Sequence, residues 1–402
     1  MKTPRNAPDA QRGVTLVELL VAVVIGLVVV LAATSVVLVG ETHKRSTSSN
    51  NDTSQSGAYV AYSLDRALRS AGSGFALAWD QGMFGCRLSA ARIVSSGSAA
   101  TTILPRATAL PVPFAGFLGG AAGVANLRLA PVLIGDGQSA GGSDVLMVMT
   151  GNSPAGDVAR PIRSDVTGSN NLRLDNTVGM RAGDIGLITQ PGATDCLLEQ
   201  VGTTDASFAA AGNDVLPLGG DYLNASSNLA TMAASGASFF SVLGNRNAAG
   251  SLQFQVFGVD TNRTLFSYDL LRTVGDGTDA AALQALADGV TELHAMYGID
   301  PTAPHTGAHL QWVAPTGTWA IANVLADPNL MRQIVAVRVA IVMRGDHYEK
   351  AEVTRERQVL FEGTPGEIAA DTYTEDSDNR HFRLRVIDTT IPLRNMLLLA
   401  TS

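Results

Sequence analysis

From Val14 to Gly40 the chain reads VTLVELLVAVVIGLVVVLAATSVVLVG, with one charged residue, Glu18, and no proline. About 20 apolar residues span a bilayer as a helix. This run of 27 therefore predicts a membrane-crossing helix with a turn or more in reserve. An ordinary secretory signal has a shorter apolar region and a small-residue cleavage site behind it. Here the run passes into polar sequence without such a site, so the segment is expected to be retained. A Ser- and Asn-rich stretch at residues 46–57 is expected to be a loosely wound hinge. Beyond it, Val60, Leu64, Ala67, Leu68 and Ala71 recur at helical spacing, with Asp65, Arg66 and Arg69 on the other face. That stripe should pack on a sheet, and Gly72-Ser73-Gly74 should end the helix.

The rest of the chain reads mainly as strands. Residues 75–140 predict loops around a few short strands, and Val145 to Met149 is a continuous apolar run that suits a buried strand. Leu172-Arg173-Leu174, Ile185 to Thr189 and Cys196 to Val201 follow as further strands, while residues 205–235 read as a small, polar excursion. Gln253 to Phe257 and Leu265 to Leu270 alternate around Asp260-Thr261-Asn262 and predict a hairpin. Ala280 to Ala287 is a short helix candidate ended by Asp288-Gly289. Val335, Val337, Val339, Ile341 and Met343 share one strand face with Arg338 on the other. Phe382, Leu384 and Val386 alternate with Arg383 and Arg385, and no repeat period emerges.

Composition supports this picture. Hydrophobic residues make up 46% of the 402 and charged residues only 16%, so a sizeable core can form and overall disorder is disfavoured. Abundant Gly, Ser, Thr and Ala favour strands and loops over helical bundles. The net charge is −8, and the first thirteen residues contribute +2 through Lys2, Arg5 and Arg12 against Asp9. An acidic body repels phosphate backbones, so no nucleic-acid partner is expected. The basic end belongs in the cytoplasm by the positive-inside rule. His43, Lys44 and Arg45 weaken that signal, but long domains translocate largely regardless of such charges.

Cys86 and Cys196 are too far apart for a CxxC motif. They are either two separately buried thiols or, if the body lies outside the cytoplasm, a disulfide. The disulfide would close a loop of about 110 residues for roughly 4 to 5 kcal/mol in the chain-entropy model.

Glu18 is the odd residue of the apolar helix. A carboxylate there needs a partner or a proton, unless it lies at the membrane edge and reaches the headgroups. The basic leader ending in Gly13, followed by Val14-Thr15-Leu16-Val17-Glu18-Leu19-Leu20, resembles the class III signal of type IV prepilins and type II secretion pseudopilins. The resemblance implies that a prepilin peptidase cuts between Gly13 and Val14 and methylates the new N-terminus on Val14. The family usually has Phe at that position, and Val14 departs from it. Glu18 becomes the fifth mature residue, and in a bundle of such helices it can pair with the charged amine of a neighbouring subunit, setting axial register.

Three later segments narrow the resemblance. Val290 to Asp300, Ile334 to Arg344, and Phe382 to Asn395 ending Ile391-Pro392-Leu393-Arg394-Asn395 look, in that order, like the PilW family of minor pilins. The expected fold is α+β and pilin-like, a long N-terminal helix with a membrane half and an amphipathic half packed on a β-rich domain. Residues 1–13 would be the leader and 14–40 the transmembrane and assembly helix. Residues 41–72 would be its periplasmic half with the polar hinge, and 73–402 the periplasmic domain. Within that domain 75–250 is loop-rich and 251–402 carries the PilW-like strands.

Neither HExxH nor a P-loop is found in the sequence, and the two cysteines have no histidine near them in sequence. His305 and His309 as a metal pair, and Asp276 and Asp279 as calcium ligands, are weaker candidates than bare loops. Tyr297 and Trp312 fit core packing better than a ligand surface. Arg383 and Arg385 fit a solvated strand face, and Glu375, Asp376 and Asp378 a solvated loop. Arg394-Asn395 either stabilises the last strand or marks a subunit contact.

No cofactor or enzymatic turnover is expected. The resemblance implies a minor pilin in the inner membrane and then at the pilus tip, working with other minor pilins, the major pilin and a PilY-type adhesin to prime polymerisation. A minor pseudopilin of type II secretion, a tip adhesive subunit, and a membrane-tethered periplasmic enzyme or sensor are the rival readings.

Overall fold

The computed structural model describes residues 13–93, 99–152, 158–164, 171–202, 214–223, 228–248, 250–273, 276–302, 309–354, 358–366, 368–369 and 377–399. The chain divides into two compact units, Met1–Asp52 and Thr53–Ser402.

Helix α1 spans Leu16–Ser70. Residues 46–57, expected to loosen the winding, are helical throughout. Polar residues lower helix propensity by only tenths of a kcal/mol each, and the stretch has no proline. In the second unit the stripe predicted by spacing is buried: Val60, Leu64, Leu68 and Ala71 are fully covered. Covering each of the larger three contributes about 1.5–3 kcal/mol. On the opposite face Arg69 grips Asp65 one turn earlier, at 2.7 and 2.8 Å. Gly72, at φ 77°, ends the helix in the left-handed conformation and donates its N–H to the carbonyl of Met149 at 2.9 Å.

Among the described residues, three larger sheets follow. The first has six strands, ordered β2 (Thr101–Leu104), β1 (Arg87–Arg92), β8 (Asp195–Gln200), β7 (Asp184–Thr189), β10 (Phe239–Asn245) and β5 (Arg160–Pro161). Only β1 and β8 run parallel among these neighbours. The second is antiparallel, ordered β13 (Leu283–Asp288), β12 (Thr264–Asp269), β11 (Leu252–Val259), β4 (Val145–Gly151) and β3 (Val132–Gly135). The third is ordered β15 (Gln311–Val313), β14 (Val290–Ile299), β16 (Ile334–Arg344) and β19 (Leu384–Pro392). Two small ladders, β6 (Asn171–Arg173) with β9 (Val215–Pro217) and β17 (Val359–Leu360) with β18 (Ile368–Ala369), complete the described strands.

The predicted helix at Ala280 to Ala287 is a correction. Only Asp279–Ala282 is helical, and Leu283 onward pairs with β12 as the sheet edge, Tyr268 opposite Leu283 and Phe266 opposite Ala285. Sheet pairing overrides the helix preference of alanine.

The main core gathers the α1 stripe and inward residues of all three sheets, among them Met147, Phe254, Leu187, Val337 and Ile341. Ile188, next to Leu187, points the other way into a second cluster with Leu197, Phe240 and Leu216. β7 is thus buried on both faces, which explains its unbroken apolar reading.

A charged group joins the second and third sheets. Asp144, at the head of β4, accepts the N–H of Gly137 at 2.9 Å and that of Ala295 in β14 at 2.8 Å. His294 lies between Asp144 and Glu292, its Nδ1 3.5 Å from the former and its Nε2 3.3 Å from the latter. Burial disfavours a charge on His294, but its bonds to the two carboxylates outweigh this and raise the ring to about 10.

Candidate assembly site

Gly13, Val14 and Thr15 lead into α1, and Thr15 is its N-cap. The Thr15 N–H donates to Glu18 Oε2 at 3.1 Å, and the Glu18 N–H donates to Thr15 Oγ1 at 3.3 Å. The Thr15 hydroxyl also donates to Glu18 Oε2, at 3.0 Å. This is a reciprocal capping box, which satisfies two donors that a helix start leaves without partners. A carboxylate here also favours the positive end of the helix dipole. The signal Thr-x-x-Glu stands in the sequence, but the apolar run around Glu18 marks it as a membrane carboxylate and masks its part in a helix cap. Lys2, Arg5, Asp9 and Arg12 lie outside the described residues.

Behind the cap, every large apolar side chain from Val14 to Val39 is 51–75% exposed. Water would not tolerate such a surface on a monomer, whereas lipid or a bundle of like helices would. Among the described residues α1 alone is long and apolar enough to cross a membrane.

Cys86 and Cys196 are bonded to each other and buried. Cys86 stands just before β1 and Cys196 within β8, so the bond reinforces the parallel pair. Next to it the Arg87 guanidinium takes both oxygens of Asp195, at 2.6 and 3.0 Å.

The weaker candidates have structural roles where they are described. Asp279 is held by Arg106 at 3.1 Å, Arg272 at 2.7 Å and the Tyr268 hydroxyl at 2.6 Å. Burial works against its charge, yet these partners bring its carboxyl down to about 2. Asp276 caps its own turn by accepting the Thr278 N–H at 2.9 Å. The two therefore do not converge on a cation, and among the described residues no group of three or more His, Cys, Asp or Glu is placed to hold a metal. His309 is described, while His305, Glu375 and Asp376 lie outside the described residues.

Tyr297 is fully buried, with its hydroxyl accepting the Ile134 N–H at 2.7 Å. Trp312 is half-buried against a small cluster around Met296 and Phe361. Arg383 forms a double contact with Glu349, and Arg385 reaches Ser54 of α1. Asn395 donates its side-chain amide to the carbonyls of Ser70 and Ala71, a partnership no local pattern announces.

A membrane-type helix opened by a capped glutamate, leading into a β-rich body, defines a type IV prepilin-like class of protein. Residues 9–34 match the prokaryotic N-terminal methylation motif. Residues 256–395, from within β11 to Asn395, match the model of type IV pilus-assembly protein W, PilW. Together the two matches support a PilW-family prepilin-like protein, a minor pilin of type IV pili. It has no match among the curated proteins or the solved structures. It is accordingly a structural pilus component with an inner-membrane anchor, and its motif implies processing by a prepilin peptidase and association with other pilins.

Proposed function

We propose that this minor pilin joins other minor pilins in a tip complex that primes polymerisation of the major pilin and carries a PilY-type adhesin. In this reading the peptidase cuts between Gly13 and Val14 and methylates the Val14 amine. Residues 14–40 then hold the chain in the inner membrane, residues 41–72 continue the helix, and residues 73–402 form the periplasmic body, where an oxidising compartment suits the Cys86–Cys196 bond. Glu18 docks against the amine of a neighbouring subunit.

The observation that carries the reading is the apolar surface from Val14 to Val39, exposed on all sides and bearing Glu18 as its one charge. A carboxylate at the start of such a helix, one turn from the amine that cleavage would create, supplies the complementary half of an ion pair between subunits.

The test is a deletion strain scored for surface pili and twitching, complemented by wild type and by Glu18→Ala. Deletion is expected to remove pili, and Glu18→Ala to restore them poorly. Normal pilus numbers in the deletion strain would overturn the priming role. Wild-type incorporation of Glu18→Ala would overturn the docking role, and a mature protein beginning at Met1 would overturn the processing.

A further inference from the structure

Within the second compact unit, α1 and the second sheet leave a cleft of about 190 Å³ between them. Tyr59, Tyr62 and Arg66 stand on its helical wall, at spacings that put them on one face of α1. The sheet supplies the other wall. Gln253 and Gln255 lie on the same face of β11 as Phe257. Phe257 is opposite Ser267 of β12, and Ser267 is opposite Gln284 of β13. The floor is Phe257, 3% exposed, whereas Tyr59 and Tyr62 are 52% and 65% exposed.

The polar groups of this cleft are open. Among the described residues the side-chain amides of Gln253, Gln255 and Gln284 bond to nothing in the chain. The same holds for the hydroxyls of Tyr59 and Tyr62 and for the Arg66 guanidinium. No carboxylate is among the described lining residues, and Asp65, next to Arg66 on α1, is already held by Arg69. Two other clefts differ. Around Arg246, in a cleft of about 380 Å³, Asn245 bonds to Asp184 at 2.7 Å, Arg246 to Asp221 at 3.2 Å and the Ser251 hydroxyl to the Asn245 carbonyl at 2.7 Å. Beside Leu325, in a cleft of about 370 Å³, Asn126, Arg128 and Gln138 are likewise tied to Ala122, Gly85 and Leu118.

We propose that the cleft between α1 and the second sheet binds one unit of a saccharide that carries a carboxylate. A sugar ring has an apolar C–H face, which suits an exposed tyrosine ring, and a rim of hydroxyls. Each glutamine amide has two donors and an acceptor, so it serves a hydroxyl in either sense. Arg66, the one charge in the cleft and unpaired, presents a planar fork to the carboxylate. The volume is small beside the ~300–1,000 Å³ of drug-sized pockets, which limits the occupant to the size of one sugar ring. A protein segment fits less well, because such partners are held by apolar anchors sunk in pockets and Phe257 already fills the floor. Two sources present the required chemistry, the uronates of acidic polysaccharides and the muramate of the cell wall.

The test titrates the detergent-solubilised full chain with glucuronate, N-acetylmuramate and glucose, followed by ligand-observed NMR. Saturable binding of an acidic sugar is expected, with glucose about tenfold weaker for want of a charge-assisted bond. The acidic sugar that binds more tightly identifies the source. Arg66→Gln should bring it down to the level of glucose and leave glucose itself unchanged, while Tyr62→Ala should abolish both. Both side chains are exposed, so each variant should melt near the parent temperature. No saturable binding of either acidic sugar by the folded chain, equal affinity for glucose, or unchanged affinity in Arg66→Gln or Tyr62→Ala would overturn the proposal. So would a crosslink, in intact pili, from a benzophenone amino acid at position 62 to another pilus subunit. None of these results bears on pilus numbers in the deletion strain, so the priming role stands or falls separately.

Discussion

The side-chain amide of Asn395 lies 3.0 Å from the carbonyl oxygen of Ala71 and 3.3 Å from that of Ser70. A segment beyond the last strand thus closes the last turn of α1, where helix carbonyls otherwise lack partners. Thr150 adds a third bond, its hydroxyl donating to Ser70 at 2.7 Å.

Asn395→Ala should lower the unfolding free energy of the detergent-solubilised chain by about 1–2 kcal/mol, for two lost hydrogen bonds. Asn395→Asp should be worse, because it places a negative charge at the negative end of the helix. Urea midpoints for the three proteins decide the matter, and equal midpoints would remove the capping role.

His294 makes stability depend on pH. Its folded value of about 10 stands above the ordinary 6.5. Its stabilising contribution is therefore full below about pH 6.5 and is lost as pH rises through about 10. Asp136 faces the same cluster, its carboxyl raised by burial and by Asp144 and lowered by His294. Melting temperatures of wild type and His294→Gln should differ most at pH 6 and converge by pH 10. A constant difference across that range would show that the charge on the ring is not the cause.

Replacing Cys86 and Cys196 with serine should remove about 2–5 kcal/mol of stability, as for other native disulfides. Chemical unfolding with and without reductant would measure the same loss in the wild-type chain. No difference between the oxidised and reduced proteins would mean that the bond leaves the unfolded state unconstrained.

Gly57 sits where α1 meets β19. A Cβ built on it would lie 2.6 Å from Ile387 Cδ1 and 3.4 Å from Met343 Cγ. Gly57→Ala should be tolerated, since the end of the Ile387 side chain can swing away. Gly57→Leu should lose about 1–3 kcal/mol by overpacking, and Ile387→Ala should recover part of it. A double-mutant cycle without coupling would place the clash elsewhere.

Most of this architecture was legible because it follows short-range periodicity. The spacing of Val60, Leu64 and Leu68 located the buried face of α1, and alternation from Val335 to Met343 located β16. Failures came where distant segments decide. Ala280 to Ala287 reads as helix alone, yet from Leu283 it becomes a strand because β12 lies beside it. Asn395 could not be matched to α1 by any local rule, since its partners are more than 300 residues earlier in the chain. His294 stood inside a recognised strand, but its role depends on Asp144 in another sheet. Thr15 does carry a local signal, three residues from Glu18, that the surrounding apolar run obscures.

The capping box at Thr15 and Glu18 also has a kinetic side. On the docking reading proposed above, Glu18 approaches a neighbouring helix with hydrogen-bond partners already in hand. Joining the bundle is then an exchange of one set of donors for another, and no bare charge has to cross an apolar layer on the way. On that reading the bonds to Thr15 that Glu18 gives up on docking are the ones it regains on leaving, so entry and exit pass through the same capped state.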